Sequence, residues 1–364
     1  MSEVRKINVN LAQVSGSHTN FPMLFSGTYS YLKTVANGGS VQNSNGYDIE
    51  FVDGYGSRLN WELLKYVATT GEIIAFVKIP SLTSTSQTQF YLKYGTPGIT
   101  TNVGNPTGVW DTNYLSVYHL GDGTTLSLSD STSNANTLTN NNSVTATTGK
   151  IYGGAALSAA SSQSLGGSVI VSNDLNVTVS AWIKVASFPA TNFNVNIAGM
   201  INGVDSGYLD KIIRIYTSSD YAAMYVYNPS AGGARYAYEP TSLTTNTWIY
   251  IVGTTDNVNN ISKVFKDGVV GAVTDPKSTT TGYTNPNLYI GARGANPYVA
   301  NGGDFYTGDI SEVRFSKTVR SPEWILTEYN NQNSPSTFYS VSTFVTGGYV
   351  TGISTIKNTS NIIF

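Results

Sequence analysis

Between Val177 and Val185 the chain reads as a strict alternation, with Val177, Val179, Ala181, Ile183 and Val185 on one set of positions and Thr178, Ser180, Trp182 and Lys184 on the other. A period of two puts the two sets on opposite faces of a strand, and the apolar face requires a second sheet to bury it. Runs of the same kind recur at 4–11, 47–52, 73–79, 89–94, 114–120, 212–216, 223–227, 248–254, 263–266, 287–290 and 310–315. Turn sequences such as Asp53-Gly54 and Thr70-Gly71 separate them. The fold class expected is all-β: an antiparallel β-sandwich preceded by a smaller β-rich domain. One short helix is expected at 322–330, with Ser321 as its cap, Pro322 in its first position and Trp324, Ile325 or Leu326 packing inward.

The 364 residues suffice for two domains. Residues 95–113 are rich in Gly, Pro and Thr with almost no apolar positions, which reads as a linker. The expected division is 1–108, 109–340 and a strand-like extension 341–364, too short to fold alone and expected to pair with a neighbour or another subunit.

A formal charge of -2 without Lys/Arg runs gives no footprint for a phosphate backbone, which argues against nucleic acid as a partner. The absence of Cys excludes disulfides, thiolate metal sites and a cysteine nucleophile. No window is apolar enough for a membrane-spanning helix, and the first residues lack the apolar core of a signal peptide. The expectation from this is a virion surface or, failing that, an extracellular or cell-surface setting.

Two families are resembled. Residues 4 to about 95 resemble the domain of unknown function 2341 through Thr19-Asn20-Phe21-Pro22, Ala36-Asn37-Gly38-Gly39, Asn45-Gly46-Tyr47-Asp48-Ile49-Glu50-Phe51 and Ala75-Phe76-Val77-Lys78-Ile79-Pro80. Residues 109 to 338 resemble the concanavalin A-like lectin/glucanase superfamily in its laminin-G-like form. Val117-Tyr118-His119-Leu120, Asp130-Ser131-Thr132, Gly149 to Ala155, Val179-Ser180-Ala181-Trp182 and Gly308 to Arg314 carry that likeness. It implies a jelly-roll sandwich of a kind that hosts lectins, adhesion modules, glycosidases and purely structural domains, so function has to be argued from residues.

Glycosidases on this sandwich resemble one another in a strand that sets carboxylates side by side, as acid and nucleophile chemistry needs. The second domain lacks that strand: Asp309 and Glu312, three apart, are expected on opposite faces, and Asp48, Glu50 and Asp53 read as a solvated edge and a turn. His119 is expected to hold a buried hydrogen bond and His18 to be exposed in a loop. No organic cofactor is expected. Calcium is weighed at Asp130 and Asn134, whose loop composition serves equally for Asx turns.

Sugar recognition needs aromatic faces with polar groups beside them. The candidates are Trp182, Tyr216, Tyr221, Tyr225, Tyr227, Arg235, Tyr236, Tyr238 and, on a sandwich-edge loop, Arg293. Tyr also suits any half-buried strand, so their grouping is what the structure has to decide. The expected function is non-catalytic: a lectin-like, glycan-binding or adhesion domain on a surface or virion structural protein, such as a phage fibre, decoration or receptor-binding component. Other virion or surface proteins and copies of the same chain are the expected partners beside glycans. The alternatives are a structural assembly protein without glycan affinity and a glycan hydrolase with an unrecognised site.

Overall fold

The computed structural model describes residues 2–168, 172–174, 176–188, 195–202, 209–216, 219–228, 233–271, 283–284, 287–293 and 305–343. The chain divides into two compact units, one of residues 1–110 with 330–364 and the other of residues 111–329.

The first unit has a four-stranded sheet in the order Tyr339–Val341, Glu3–Val9, Gln89–Tyr94, Glu50–Val52, and a three-stranded sheet in which Glu72–Thr83 lies between Ser17–Thr28 and Trp61–Val67. Aromatic side chains fill its core, with Phe25 edge-on to Phe51 at 5.2 Å and Phe51 edge-on to Trp61 at 6.1 Å. The chain end was expected to seek a neighbour's strand. Just before it, Tyr339–Val341 pairs with the first strand, Ile7 opposite Val341 and Val9 opposite Tyr339. Residues from 330 onward group with this unit and not with the sandwich, and the rest of the expected extension, 344–364, lies outside the described residues.

The second unit is the sandwich. One sheet runs Val269–Val270, Ile261–Lys266, Trp248–Asp256, Val177–Val185, Gly308–Ser316, Gly153–Leu157, Thr145–Thr148, with Tyr114–Tyr118 also pairing Gly308–Ser316. The other runs Gly233–Tyr238, Tyr221–Asn228, Leu209–Tyr216, Val195–Asn202, Asn287–Ile290, Ser164–Ser168, Thr139–Asn141. Neighbouring strands pair antiparallel throughout both. The main core lies between them: Val177, Val179, Ala181, Ile183 and Val185 share it with Ile213, Ile215, Met224 and Val226. Gly253 marks the tightest approach, since a Cβ there would sit 2.4 Å from Ile213 Cγ2 and 2.5 Å from Met224 Sδ.

The outer face of the first of these two sheets carries a second apolar layer. Helix Pro322–Asn333 begins where expected, Trp324 N–H donating to Ser321 Oγ at 3.2 Å. Its Ile325 and Tyr329 pack on Trp182, Tyr250, Val252 and Phe265. Among the described residues no helix is long and apolar enough to cross a membrane.

Candidate functional site

The outer face of the second sandwich sheet gathers the tyrosines. In Leu209–Tyr216 the core takes Ile213 and Ile215, so Ile212, Arg214 and Tyr216 project to the other side. In the next strand Ala222, Met224 and Val226 are in the core, which leaves Tyr221, Tyr225 and Tyr227 outward. Ala237 is in the core of the edge strand, with Tyr236 and Tyr238 outward.

Register aligns them. Gly166, Tyr289, Gly199, Ile212, Tyr225 and Tyr236 form one row across six strands. Tyr225 and Ile212 are its buried floor, Tyr227, Tyr236 and Tyr289 pack half-buried against them, and Tyr216 stands 39% exposed at the rim. Two glycines flank Tyr289 on the neighbouring strands. A Cβ on Gly166 would come within 3.1 Å of Tyr289 Cε1, and one on Gly199 within 2.6 Å of Ile212 Cγ1, so glycine keeps the floor low enough for rings to lie across it.

Arg214 is the charged centre of this face. Its guanidinium lies 3.6 Å from the Tyr225 ring centroid and 4.9 Å from that of Tyr236. Tyr236 is 5.2 Å from Tyr225 and edge-on to Tyr216 at 5.6 Å, while Tyr221 stacks on Tyr238 at 6.1 Å. The arrangement presents aromatic faces and phenol hydroxyls around a cation that is itself held by the rings.

Sequence reasoning found every tyrosine of this group except Tyr289 and missed Arg214, although Arg214 alternates correctly between Ile212 and Tyr216. Arg235 goes to the opposite face, because it pairs with Val226, whose side chain is in the core. Arg293 is half-buried in the bend that follows Asn287–Ile290, and residues 294–304 lie outside the described residues. Trp182 is in the other sheet altogether and is only 1% exposed, with Tyr250 at 5.1 Å, Tyr329 at 5.9 Å and the Lys150 Nζ 4.7 Å from its ring centroid. It packs the layer beneath the helix and offers no face to a sugar.

The Asp130 loop is built as an Asx-type turn. Asp130 Oδ1 accepts Val117 N–H and Thr132 N–H, both at 2.9 Å, and Oδ2 accepts the Thr132 hydroxyl at 2.8 Å and Asn136 N–H at 3.0 Å. Asn134 donates its amide to the carbonyls of Tyr114 and Leu115. Four donors already satisfy the carboxylate that calcium would need. Among the described residues no group of three or more His, Asp or Glu gathers to hold a metal ion. Chelator is accordingly expected to leave the melting temperature unchanged, whereas Asp130→Ala lowers stability by about 1–3 kcal/mol by orphaning buried donors; both are read by thermal melts with and without added calcium.

Other carboxylates among the described residues are held in ion pairs and turns. A bulge opposite Ser180 and Trp182 places Glu312 in the left-handed region at φ 52°, a shift of face that alternation does not show. Its Oε1 accepts His119 Nδ1–H at 2.8 Å, and its Oε2 accepts Arg314 Nη2–H at 3.0 Å. Arg314 Nη1–H reaches Glu328, which also accepts the Tyr250 hydroxyl at 2.6 Å. Burial by itself raises the Glu312 carboxyl, and the facing His119 and Arg314 outweigh it, leaving the group below the usual glutamate range. Asp309 pairs with Lys184 Nζ at 3.3 Å.

In the first unit Asp48 and Glu50 are buried, contrary to the solvated edge expected. Asp48 accepts the N–H groups of Gln42, Asn43 and Gly95, and Glu50 pairs with Arg58 at 2.7 Å and Lys93 at 3.3 Å. His18 is likewise buried, inside Ser17–Thr28 and 5.6 Å from the Phe21 ring, because that loop is a strand.

The two-sheet antiparallel sandwich is the architecture expected of a concanavalin A-like domain, and the family comparison identifies it as one. Residues 153–326 match the family model of the concanavalin A-like lectin/glucanases superfamily, and residues 45–132 match that of the domain of unknown function 2341. The chain therefore carries a domain of unknown function 2341 followed by a concanavalin A-like domain.

No curated protein matches the sequence. Among solved structures the chain is similar to domain 4 of a GH43 extracellular arabinanase from Geobacillus stearothermophilus, solved with arabinotriose, at 19% identity and TM-score 0.43 over 60% of this chain and 98% of that one. It is similar also to the botulinum neurotoxin serotype D ligand binding domain, solved with N-acetylneuraminic acid, at 13% identity and TM-score 0.45 over 60% of this chain and 51% of that one.

Proposed function

We propose that this chain is a non-catalytic carbohydrate-binding protein whose sandwich takes an oligosaccharide on the outer tyrosine face. The observation that carries the reading is the row of aromatic side chains in register around Arg214. Tyrosine rings offer apolar faces to pyranose C–H surfaces, and their hydroxyls take sugar hydroxyls, while the buried Arg214 guanidinium holds the rings of Tyr225 and Tyr236 in place. From Tyr289 to Tyr236 the row crosses five strands, about 19 Å at the usual strand spacing, which favours an oligosaccharide over a single ring. The concanavalin A-like family match supports the same reading, and the engagement of Glu312, Glu328 and Asp309 in ion pairs among the described residues is consistent with binding without bond cleavage. A virion-surface or cell-surface adhesion setting, with other surface proteins or copies of the chain as partners, fits a glycan-binding role.

The test is a broad glycan array probed with the full chain, followed by titration of the best oligosaccharide and its constituent monosaccharide. Tyr216→Ala and Tyr236→Ala are each expected to weaken binding about tenfold, the equivalent of about 1.4 kcal/mol for a lost stacking face. Tyr216, at the rim, is expected to do so without a change in melting temperature. A folded chain silent on every glycan would leave a structural assembly role, and released reducing ends would make the chain a hydrolase.

A further inference from the structure

We propose that the N-terminal unit contains a second binding site, a groove of about 490 Å³ lined by Arg5, Tyr29, Tyr31, Tyr339 and Ser342, that takes a sugar ring carrying a carboxylate. The floor is aromatic: Tyr29 lies 5.3 Å from Tyr31, and Phe25 stacks beneath both Tyr29 and Tyr339. Gly27 permits this, since a Cβ there would come within 2.8 Å of the Tyr29 ring. Serine hydroxyls edge the groove, together with the Tyr29 hydroxyl, 3.1 Å from a Tyr339 hydroxyl that is itself held by the Ser26 backbone.

Arg5 sets the charge of the ligand. It is the one charged residue in the lining, and the nearby Glu3 carboxylate lies behind it, occupied by the Tyr94 hydroxyl at 2.8 Å and the Ser40 hydroxyl at 2.5 Å. Its guanidinium is clamped 3.7 Å from the Tyr31 ring centroid, with Nε–H donating to the Tyr94 hydroxyl at 2.8 Å and Nη1–H to the Ser342 carbonyl at 3.2 Å. An arginine has five N–H donors, so three have no partner among the described residues. A planar guanidinium with its orientation already fixed is suited to a carboxylate.

Tyr31 supplies the second observation. Its hydroxyl is shielded from solvent yet has no hydrogen-bond partner among the described residues, an expense a fold seldom leaves uncompensated. Burial raises this phenol above its ordinary value, so it stays protonated and able to donate at neutral pH. Aromatic floor, oriented cation and unused hydroxyl together match a uronic or sialic type of sugar.

The experiment is isothermal titration of the full chain with glucuronate and with N-acetylneuraminate, beside glucose and acetate. Saturable binding of at least one acidic sugar is expected, with glucose and acetate each about tenfold weaker or more, as for loss of one charged hydrogen-bonding group. Arg5→Gln is expected to weaken binding about tenfold, and Tyr31→Phe severalfold with melting temperature unchanged or raised, because it deletes an unsatisfied buried hydroxyl. The Tyr31→Phe variant keeps the test decisive if Arg5→Gln fails to fold. Glucose binding equal to glucuronate, acetate binding equal to either sugar, unchanged affinity in Tyr31→Phe, or no binding at all would overturn the proposal. Retention of binding in Tyr216→Ala separates this site from the sandwich face, and loss of binding there would place the ligand on the sandwich and overturn it also.

Discussion

Arg314→Met lowers the stability of the sandwich unit by about 3–5 kcal/mol at neutral pH, the cost of removing one partner from a buried ion network. Arg314 is 3% exposed and bridges two buried carboxylates, Glu312 and Glu328, while His119 and Tyr250 close the ends. Methionine fills much of the volume but leaves Glu328 without its cation and Glu312 with His119 alone. The pH dependence follows from the depressed Glu312 carboxyl. A carboxyl held below its ordinary value of 4.5 stabilises the native state fully above that value and loses this contribution as pH falls through its lower folded value. In Arg314→Met one of the two groups that hold it down is gone, so acid protonates the carboxyl earlier and relieves the stranded charge. The stability gap between wild type and variant therefore narrows below about pH 4.5, as urea unfolding followed from pH 7 downward would record. A variant within about 1 kcal/mol of wild type across that range would mean that water reaches the network and screens it.

The second large effect is expected at Trp182, and it concerns folding. Trp182→Ala removes an almost fully buried ring from the layer under helix Pro322–Asn333 and costs about 3–5 kcal/mol. The lost contacts are those with Tyr250, Tyr329 and Ile325, and Lys150 loses the ring it lies over. The fraction that remains folded is expected to bind glycan as wild type does, because the tyrosine face belongs to the other sheet. Urea unfolding paired with a glycan titration separates the two effects. Native stability with lost binding would return Trp182 to the binding site and displace the tyrosine face from it.

Glutamate and tryptophan positions such as these mark where reading by alternation stopped. Alternation correctly assigned the two faces of Val177–Val185, because a strand's side-chain period is fixed by its backbone. It treated the polar-side face as solvated, and so made Trp182 a binding candidate. That face is covered by a helix arriving from residues 322–333, a contact that no local pattern carries. The bulge at Glu312 is the same kind of event: one residue in the left-handed region changes which side its neighbours take, and its cause lies in the pairing with Val177–Val185.

Strand Val195–Asn202 was not expected at all, yet it stands between Leu209–Tyr216 and Asn287–Ile290 and completes the tyrosine row. Its Gly199 and Ala198 weaken the strand pattern, and Gly199 is needed only because Ile212 crosses close above it. The grouping of the tyrosines was legible from parity within each strand, while the row itself depends on register between strands far apart in sequence.

By itself the sequence determined that this chain is all-β, that it has two domains of recognisable families, and which face of most strands is buried, since period, turn residues and apolar content are local quantities. Tertiary structure alone decided that Tyr339–Val341 joins the first domain's sheet, that Trp182 serves packing and Glu312 and Glu328 ion pairing, and that Arg214 and Tyr289 join the tyrosines on one face. Those outcomes rest on register, coverage and burial, which arise only when segments distant in the chain meet.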